Sequence, residues 1–420
     1  MTKKDLLNYI DKCKEELRVQ GRILFATPEV GFCEEDTVEI ITSFFDAYNI
    51  KYEKNISKTG IRVTLGSGDG YHIGVLADMD ALIVQGSDGP MKIHSCGHSV
   101  QVTMLMALAL VFRKSNFLEE VNGKITFLFT PAEEFICLED RKQLIASGDI
   151  KYPSGKQDMI SKGMFDDINC VLSAHINGEV GKVFDVNSTL AGFMRKQVVF
   201  HGKAAHSGAA PHLGLNALHG ATLAISGLSF IKDQFPYEDG VRLYPIITKG
   251  GLSTNAIPDE AVIESDLRAN DIETLLELEK RFDRCVTSCA EAVGLTCDIL
   301  NTTGYMPLKQ SEEINHVVYE NMKLYCSENE IIHNVISGAA GDVGDIGYLI
   351  PTIQFGFSGM KGRIHSSEFQ IVEEDFVYGD VIKVMAGTIY DLLKFPNYQV
   401  KNPSYKEQKE FYLKNWLHEL

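Results

Sequence analysis

Two short stretches carry the densest chemistry in this chain of 420 residues: His94-Ser95-Cys96-Gly97-His98 and Pro131-Ala132-Glu133-Glu134. A thiol, imidazoles and neighbouring carboxylates are the donors a transition metal needs, and Zn, Mn, Co and Ni all suit them. Cys96 and His98 stand i, i+2 just ahead of a helical pattern, so they read as loop ligands rather than a same-face helical pair. Adjacent carboxylates point opposite ways along an extended segment, but in a tight turn both can face one cleft. One can then hold or bridge metal while the other takes a proton from water and returns it to a leaving nitrogen. An isolated Glu-Glu pair is usually a solvated turn, and Cys-x-His alone is more often a buried Cys beside a structural His. Their closeness here points instead to metal-assisted hydrolysis.

Further candidates lie downstream. His175 closes an apolar run, and His365 sits in the polar loop Arg363–Phe369. Added to the first group, they could support two metals about 3.5–4 Å apart. His206, in the small-residue loop Gly202–Gly208, is placed for close approach and could steady a developing oxyanion. Asn255 lies in another Gly-rich turn, Gly250–Pro258. Arg268 could clamp a substrate carboxylate in bidentate fashion, or equally form an ion pair with Asp266 or Asp271. The stretch Gly338–Gly347 lacks the spacing and lysine of a phosphate-binding loop, and Asp342 and Asp345 read as caps or supporting partners. A Gly-x-Ser-x-Gly elbow is absent.

The elements that would position these residues alternate between helix and strand. Residues 3–25, 36–48 and 100–113 have helical spacing, and 61–65, 72–77, 124–130 and 170–175 read as strands. Asp78/Asp80, Glu133/Glu134 and His175 thus fall at strand ends, where open α/β sheets gather their sites. The middle changes character. Alternation at 194–202, 240–248 and 261–269, helices at 214–235 and 271–293, and a last strand at 296–302 give a βαββαβ pattern of ferredoxin-like type. Residues 396–420 read as an extra C-terminal helix or tail.

A formal charge of −17 argues against nucleic acid, which needs clustered Lys/Arg, and against anionic membrane surfaces. An anionic small substrate is still compatible, since metal ions can dominate the field in a cleft. The longest apolar run, Val102–Phe112, is about half a membrane span and reads as a core helix. The N-terminus reads as an amphipathic helix rather than a signal peptide. Nine irregularly spaced cysteines fit reduced thiols, so a cytoplasmic location is expected.

In order along the chain, Thr27–Phe32, Ala77–Leu82, His94–His98, Pro131–Glu134, Ala204–His206, Gly250–Pro258 and His365 resemble the metallo-aminoacylase family. That family includes hippurate, auxin-conjugate and aminobenzoyl-glutamate hydrolases and is related to dinuclear carboxypeptidases. The resemblance covers nearly the whole chain, and Asp342–Asp345 looks most like the aminobenzoyl-glutamate branch. It implies an α/β fold: a mixed-sheet catalytic domain (1–190 and 305–420) interrupted by a smaller ferredoxin-like α+β lid and dimerisation domain (191–304). It also implies two divalent metal ions held by Cys96, His98, Glu134, His175 and His365, with Cys96 and Glu133 close to both. Glu133 matches the family's general base, and His206 a lid histidine that reaches the partner protomer's site in related dimers. Asn255 and Arg268 match substrate-binding positions. The expected activity is hydrolysis of an N-acyl amino acid or similar small amide by a homodimer. The rivals are a dipeptidase or carboxypeptidase on the same scaffold and a catalytically silent binding homologue. The departures are Ser99 and Gln101, where the family usually has Asp and often His, Ile83 in place of proline, and extra sequence at about 135–157. That segment is expected either to roof the pocket or to be a surface excursion.

Overall fold

Four apolar runs lie side by side and parallel, in the order Gly123–Thr130, Tyr71–Asp78, Cys170–Ile176 and Thr352–Phe357. Tyr71–Asp78 is buried at every position, as a parallel strand covered on both faces must be. In the computed structural model, which describes residues 1–395 and 402–417, these runs form the centre of an eight-stranded mixed sheet. Gly60–Leu65 and Glu53–Ile56 extend one side antiparallel, and Phe184–Val186 and Ile331–His333 complete the other. The register sets Asp78 opposite Thr130, so the carboxyl ends of these two central strands finish level.

Helices fix this sheet. Lys3–Phe25 starts at a reciprocal Thr2/Asp5 capping box and buries Leu6, Ile10, Leu17 and Leu24 along one stripe, the pattern of an amphipathic helix. His98–Ser115 is buried around almost its whole circumference. That enclosure makes the start of His98–Ser115 a rigid place from which to project side chains. Among the described residues no helix is long and apolar enough to cross a membrane.

The chain folds into two compact units. The first comprises Met1–Thr189, Lys309–Val335 and the described residues of Asp345–Leu413. The second comprises Leu190–Leu308, Ile336–Gly344 and the described residues of Lys414–Leu420; the sequence reading assigns these last two pieces to the first block. In the second unit Thr296–Thr303, Gly192–His201, Glu260–Ala269 and Arg242–Leu243 run antiparallel in that order. Numbered along the chain this is the order 4-1-3-2 of a ferredoxin-like sheet. Burial alternates along Gly192–His201 and Glu260–Ala269, the signature of a sheet with one covered face. The helices Ala217–Lys232 and Ile272–Ala292 contribute Ala221, Ala224, Leu228, Leu278, Phe282 and Val286 to the buried layer.

Local differences from the sequence reading have local causes. The strand expected over 240–248 is two pieces, Arg242–Leu243 and Ile246–Lys249, because Pro245 between them has no N–H to give a ladder. The helix expected from Gly214 begins at Ala217, where the Asn216 side chain accepts from Leu218 N–H, a side-chain cap. Of the expected C-terminal segment, Tyr405–Phe411 is a helix, while 396–401 and 418–420 lie outside the described residues.

Candidate metal centre

The site gathers at the carboxyl ends of the central strands, joined there by a loop from a separate two-stranded hairpin, Leu82–Gly86 paired with Gly89–Ile93. The loop after Gly89–Ile93 carries His94 to Gly97 and feeds the helix starting at His98. Gly97 has φ of 79°, and a Cβ there would meet Ile176 Cγ2 at 2.5 Å. Only glycine satisfies both the left-handed backbone and this approach. The result sets Cys96 beside the end of the His175 strand.

The turn after Gly123–Thr130 carries the two glutamates. Ala132 has φ of 54°, which costs about 1–2 kcal/mol for a residue with a Cβ. Its N–H is held by Glu34 Oε1 at 3.0 Å, and Glu34 also accepts from Thr59 Oγ1 at 2.6 Å. The N–H of Glu134 is held by Asp80 Oδ2 at 2.9 Å. With the turn so fixed, both carboxylates face the same cluster. Glu133 Oε2 is 3.9 Å from His98 Nε2, and Glu134 Oε1 is 3.6 Å from His365 Nε2.

The sulfur of Cys96 lies 3.3 Å from His175 Nε2 and 3.4 Å from His365 Nε2. Three donor groups result, each with ligand atoms within 4.8 Å of one another: Cys96/His98/His175, Cys96/Glu134/His365 and His98/Glu133/Glu134. Thus the structure brings together all five expected ligands and Glu133. Cys96, His98 and Glu134 each belong to two groups. The imidazoles are oriented for ligation. His98 Nδ1 faces the Asp80 carbonyl at 2.8 Å and the Asp80 carboxylate at 3.2 Å. His175 Nδ1 faces the Ile176 carbonyl at 2.9 Å. A carbonyl only accepts, so each Nδ1 carries a proton and each Nε2 is the atom turned to the cluster.

The electrostatics of the residues fit a cation. His98 Nε2 and Glu134 Oε1 are buried without a hydrogen-bond partner, a costly arrangement unless another group satisfies them. Burial, reinforced by Glu134, pushes the Cys96 thiol well above its ordinary value. Burial, reinforced by Asp80, raises Glu134 to about 7. Both would ionise readily beside a metal ion. Burial and then His98 lower His175 to about 4, and the same causes lower His365, which keeps both rings neutral and able to ligate. For His98 burial acts downward, but Cys96 and Asp80 outweigh it and the net shift is upward.

His206, Asn255 and Arg268 belong to the second unit. His206 bridges to Ala256, and Ser207 N–H donates to the Asn255 carbonyl at 3.0 Å, so the two loops face each other. His206 Nδ1 accepts from Gly208 and Ala209 N–H at 3.2 and 3.1 Å, leaving Nε2–H as the donor of an exposed ring. Arg268 reaches the Gly338 carbonyl at 3.2 Å and Asp266 at 3.4 Å. Asp266 is held more closely by Arg195, at 2.8 Å.

Several contributors do not stand out in the sequence. Asp80 is visible there only as a strand-end acid. Glu34 sits in the run Glu34-Glu35-Asp36 and reads as ordinary helix-start charge. Ser99 and Gln101 are buried in the first turn of the helix, where Gln101 Oε1 accepts from Asp78 N–H at 2.7 Å. Asp345 is buried and accepts from Tyr412 Oη at 2.7 Å, a supporting role.

A model of the peptidase family M20/M25/M40 matches residues 74–391. The chain belongs to that family. Hydrolysis of amide bonds with metal assistance is therefore its activity class. It is 26% identical over 331 residues to an N-acyl-L-amino acid amidohydrolase of Geobacillus stearothermophilus, covering 74% of this chain and 83% of that one. Its fold matches a candidate aminohydrolase of methicillin-resistant Staphylococcus aureus, with TM-score 0.81 and 21% identity, over 93% of this chain and 100% of that one. It also matches a dinuclear metal-binding M20 peptidase of Bacillus subtilis, with TM-score 0.74 and 19% identity, over 92% and 99%.

Glu34 generates a pH prediction. Burial, then Asp80, raises its carboxyl from 4.5 to about 8. A carboxyl raised on folding contributes stability that is full below the unfolded value and is lost as pH rises through the folded one. The metal-free protein should therefore lose stability between about pH 4.5 and 8, and Glu34→Gln should flatten that fall. Urea unfolding across this range checks it; identical slopes for the two proteins would contradict it.

Proposed function

We propose that the chain hydrolyses the amide bond of an N-acyl amino acid or a related acyl-amine conjugate. The observation that carries this reading is the sharing of Cys96 between two donor groups while Glu133 stands beside His98 at the same cluster. Cys96, His98, Glu134, His175 and His365 would hold two divalent cations drawn from Mn, Zn, Co or Ni. Such ions, when bound, polarise an amide carbonyl and acidify water.

The chain's own groups supply the proton transfers and the positioning. Glu133 takes a proton from the attacking water and returns it to the leaving nitrogen. His206, contributed by a second copy of the chain, donates from Nε2–H to the developing oxyanion. Asn255 and Arg268 orient the substrate, Arg268 through a carboxylate. The discontinuous block 1–190 and 305–420 would be the catalytic domain and 191–304 the lid. A cytoplasmic location suits the free thiols of all nine cysteines.

Glu133→Gln should keep its metal content and lose about 10²–10⁴-fold in kcat. Metal analysis beside turnover of N-acyl amino acids checks this, and full turnover by the metal-loaded variant would remove Glu133 as the base. Free dipeptides assayed in parallel separate the peptidase reading, under which they would be the better substrates.

The homodimer reading is supported by the edge strand Ile246–Lys249, exposed at every position, with Leu252 98% exposed nearby in sequence. An uncovered apolar edge invites pairing. Ile246→Lys should shift light-scattering mass from dimer to monomer and remove activity together. A strictly monomeric, fully active wild-type protein would contradict the trans role of His206.

A further inference from the structure

The segment from Phe135 to Gln157 is more than a surface excursion, because Arg141, Ile150 and residues 152–157 are buried. It begins directly after Glu134 and forms the helix Leu138–Ser147, then turns into the helix Gly155–Ser161. Two of its cations are buried, Arg141 at 2% and Lys156 at 1% exposure. Placing a guanidinium and an ammonium in the interior is expensive, and such residues are normally left in water. A segment with no bearing on the site would have no reason to carry them inward.

Their partners show what they do. The terminal nitrogens of Arg141 donate to two main-chain carbonyls, that of Pro153 at 2.6 Å and that of Glu134. Phe32 and Phe135 flank the guanidinium, with ring centres at 5.6 and 5.9 Å. Asp80 already holds the N–H of Glu134, so this one residue is gripped at both its N–H and its C=O. Phe32, Ala132 and Ile150 form a small apolar cluster, with Leu144 and Ile145 against it, beneath the same turn. Lys156 Nζ pairs with Asp78 Oδ1, which also accepts from Thr130 Oγ1 at 2.6 Å. A Cβ on Gly155 would run into the Pro131 carbonyl, so the start of this helix presses on the first residue of the glutamate turn.

We propose that Arg141 and Lys156 are positioning residues for the candidate metal centre, an inference that rests on the hydrolase function proposed above. Arg141 fixes the main chain that aims Glu133 and Glu134. Lys156 neutralises and fixes Asp78 at the adjoining strand end. The planar fork of Arg141 matches two carbonyls at once, which a lysine ammonium cannot reproduce in the same geometry. Without the brace, the left-handed backbone at Ala132 relaxes and the two carboxylates no longer converge.

The test is Zn2+ affinity of metal-free protein, measured by competition with a chromophoric chelator, beside folding by circular dichroism and kcat and KM on N-acyl amino acids. Arg141→Lys should stay folded and lose about 10–100-fold in metal affinity, with kcat falling and KM little changed. A folded Arg141→Lys protein with wild-type affinity and kcat overturns the proposal. So does one that loses only thermal stability, the mark of a purely structural role. Should Arg141→Lys fail to fold, Asp78→Asn combined with Lys156→Met removes both members of a buried pair and leaves no unpaired charge. The same loss of affinity is expected of that double variant, and unchanged affinity overturns the proposal. Wild-type protein that binds Zn2+ but cleaves no amide contradicts the proposed function while leaving the affinity arm intact. Active wild-type protein with unaltered variants contradicts the positioning role alone.

Discussion

One fully buried carboxylate ties the centre together. Asp80 holds the Glu134 N–H with one oxygen, stands 3.2 Å from His98 Nδ1 with the other, and faces the same nitrogen with its own carbonyl at 2.8 Å. The loop that carries Cys96 and His98 and the turn that carries Glu133 and Glu134 therefore share one anchor. Both depend on the strand Tyr71–Asp78, whose burial on both faces fixes where Asp80 can be. Moving Asp80 would rotate an imidazole and displace a glutamate together.

The cluster also stores unfavourable electrostatics. Sulfur, carboxylates and imidazole lone pairs meet in a space where some have no hydrogen-bond partner, and two strained backbone positions, Ala132 and His365, lie within it. Strain and unsatisfied polar groups of this kind persist only where surrounding structure over-determines them. Glu34, Asp80, Arg141 and Gly97 are that surrounding structure, and cations are the groups whose binding would satisfy the exposed lone pairs.

Much of this is legible in the sequence because it rests on chemistry and period. Cys96-Gly97-His98 and Glu133-Glu134 announce a metal site by residue type, and apolar runs ending at Asp78, Thr130 and His175 announce strand ends. The alternation at 194–202 and 261–269 announces the smaller sheet. Illegible are the residues whose meaning is purely three-dimensional. Glu34 sits among other acids, and Arg141 and Lys156 look like ordinary helix-surface charges. Only their burial against main-chain carbonyls and Asp78 reveals them. Pro245 divides a strand that alternation alone presents as continuous, because a missing N–H leaves no trace in the pattern of apolar and polar residues.

The most direct measurement is bound metal per chain, determined by elemental mass spectrometry after loading with Mn, Zn, Co or Ni, for wild-type protein and Cys96→Ala. A shared sulfur predicts about two ions per wild-type chain, as a paired site requires, and loss of both in the variant. Wild-type protein that takes up no stoichiometric metal from any of the four, or a variant that binds as wild type does, would contradict the account.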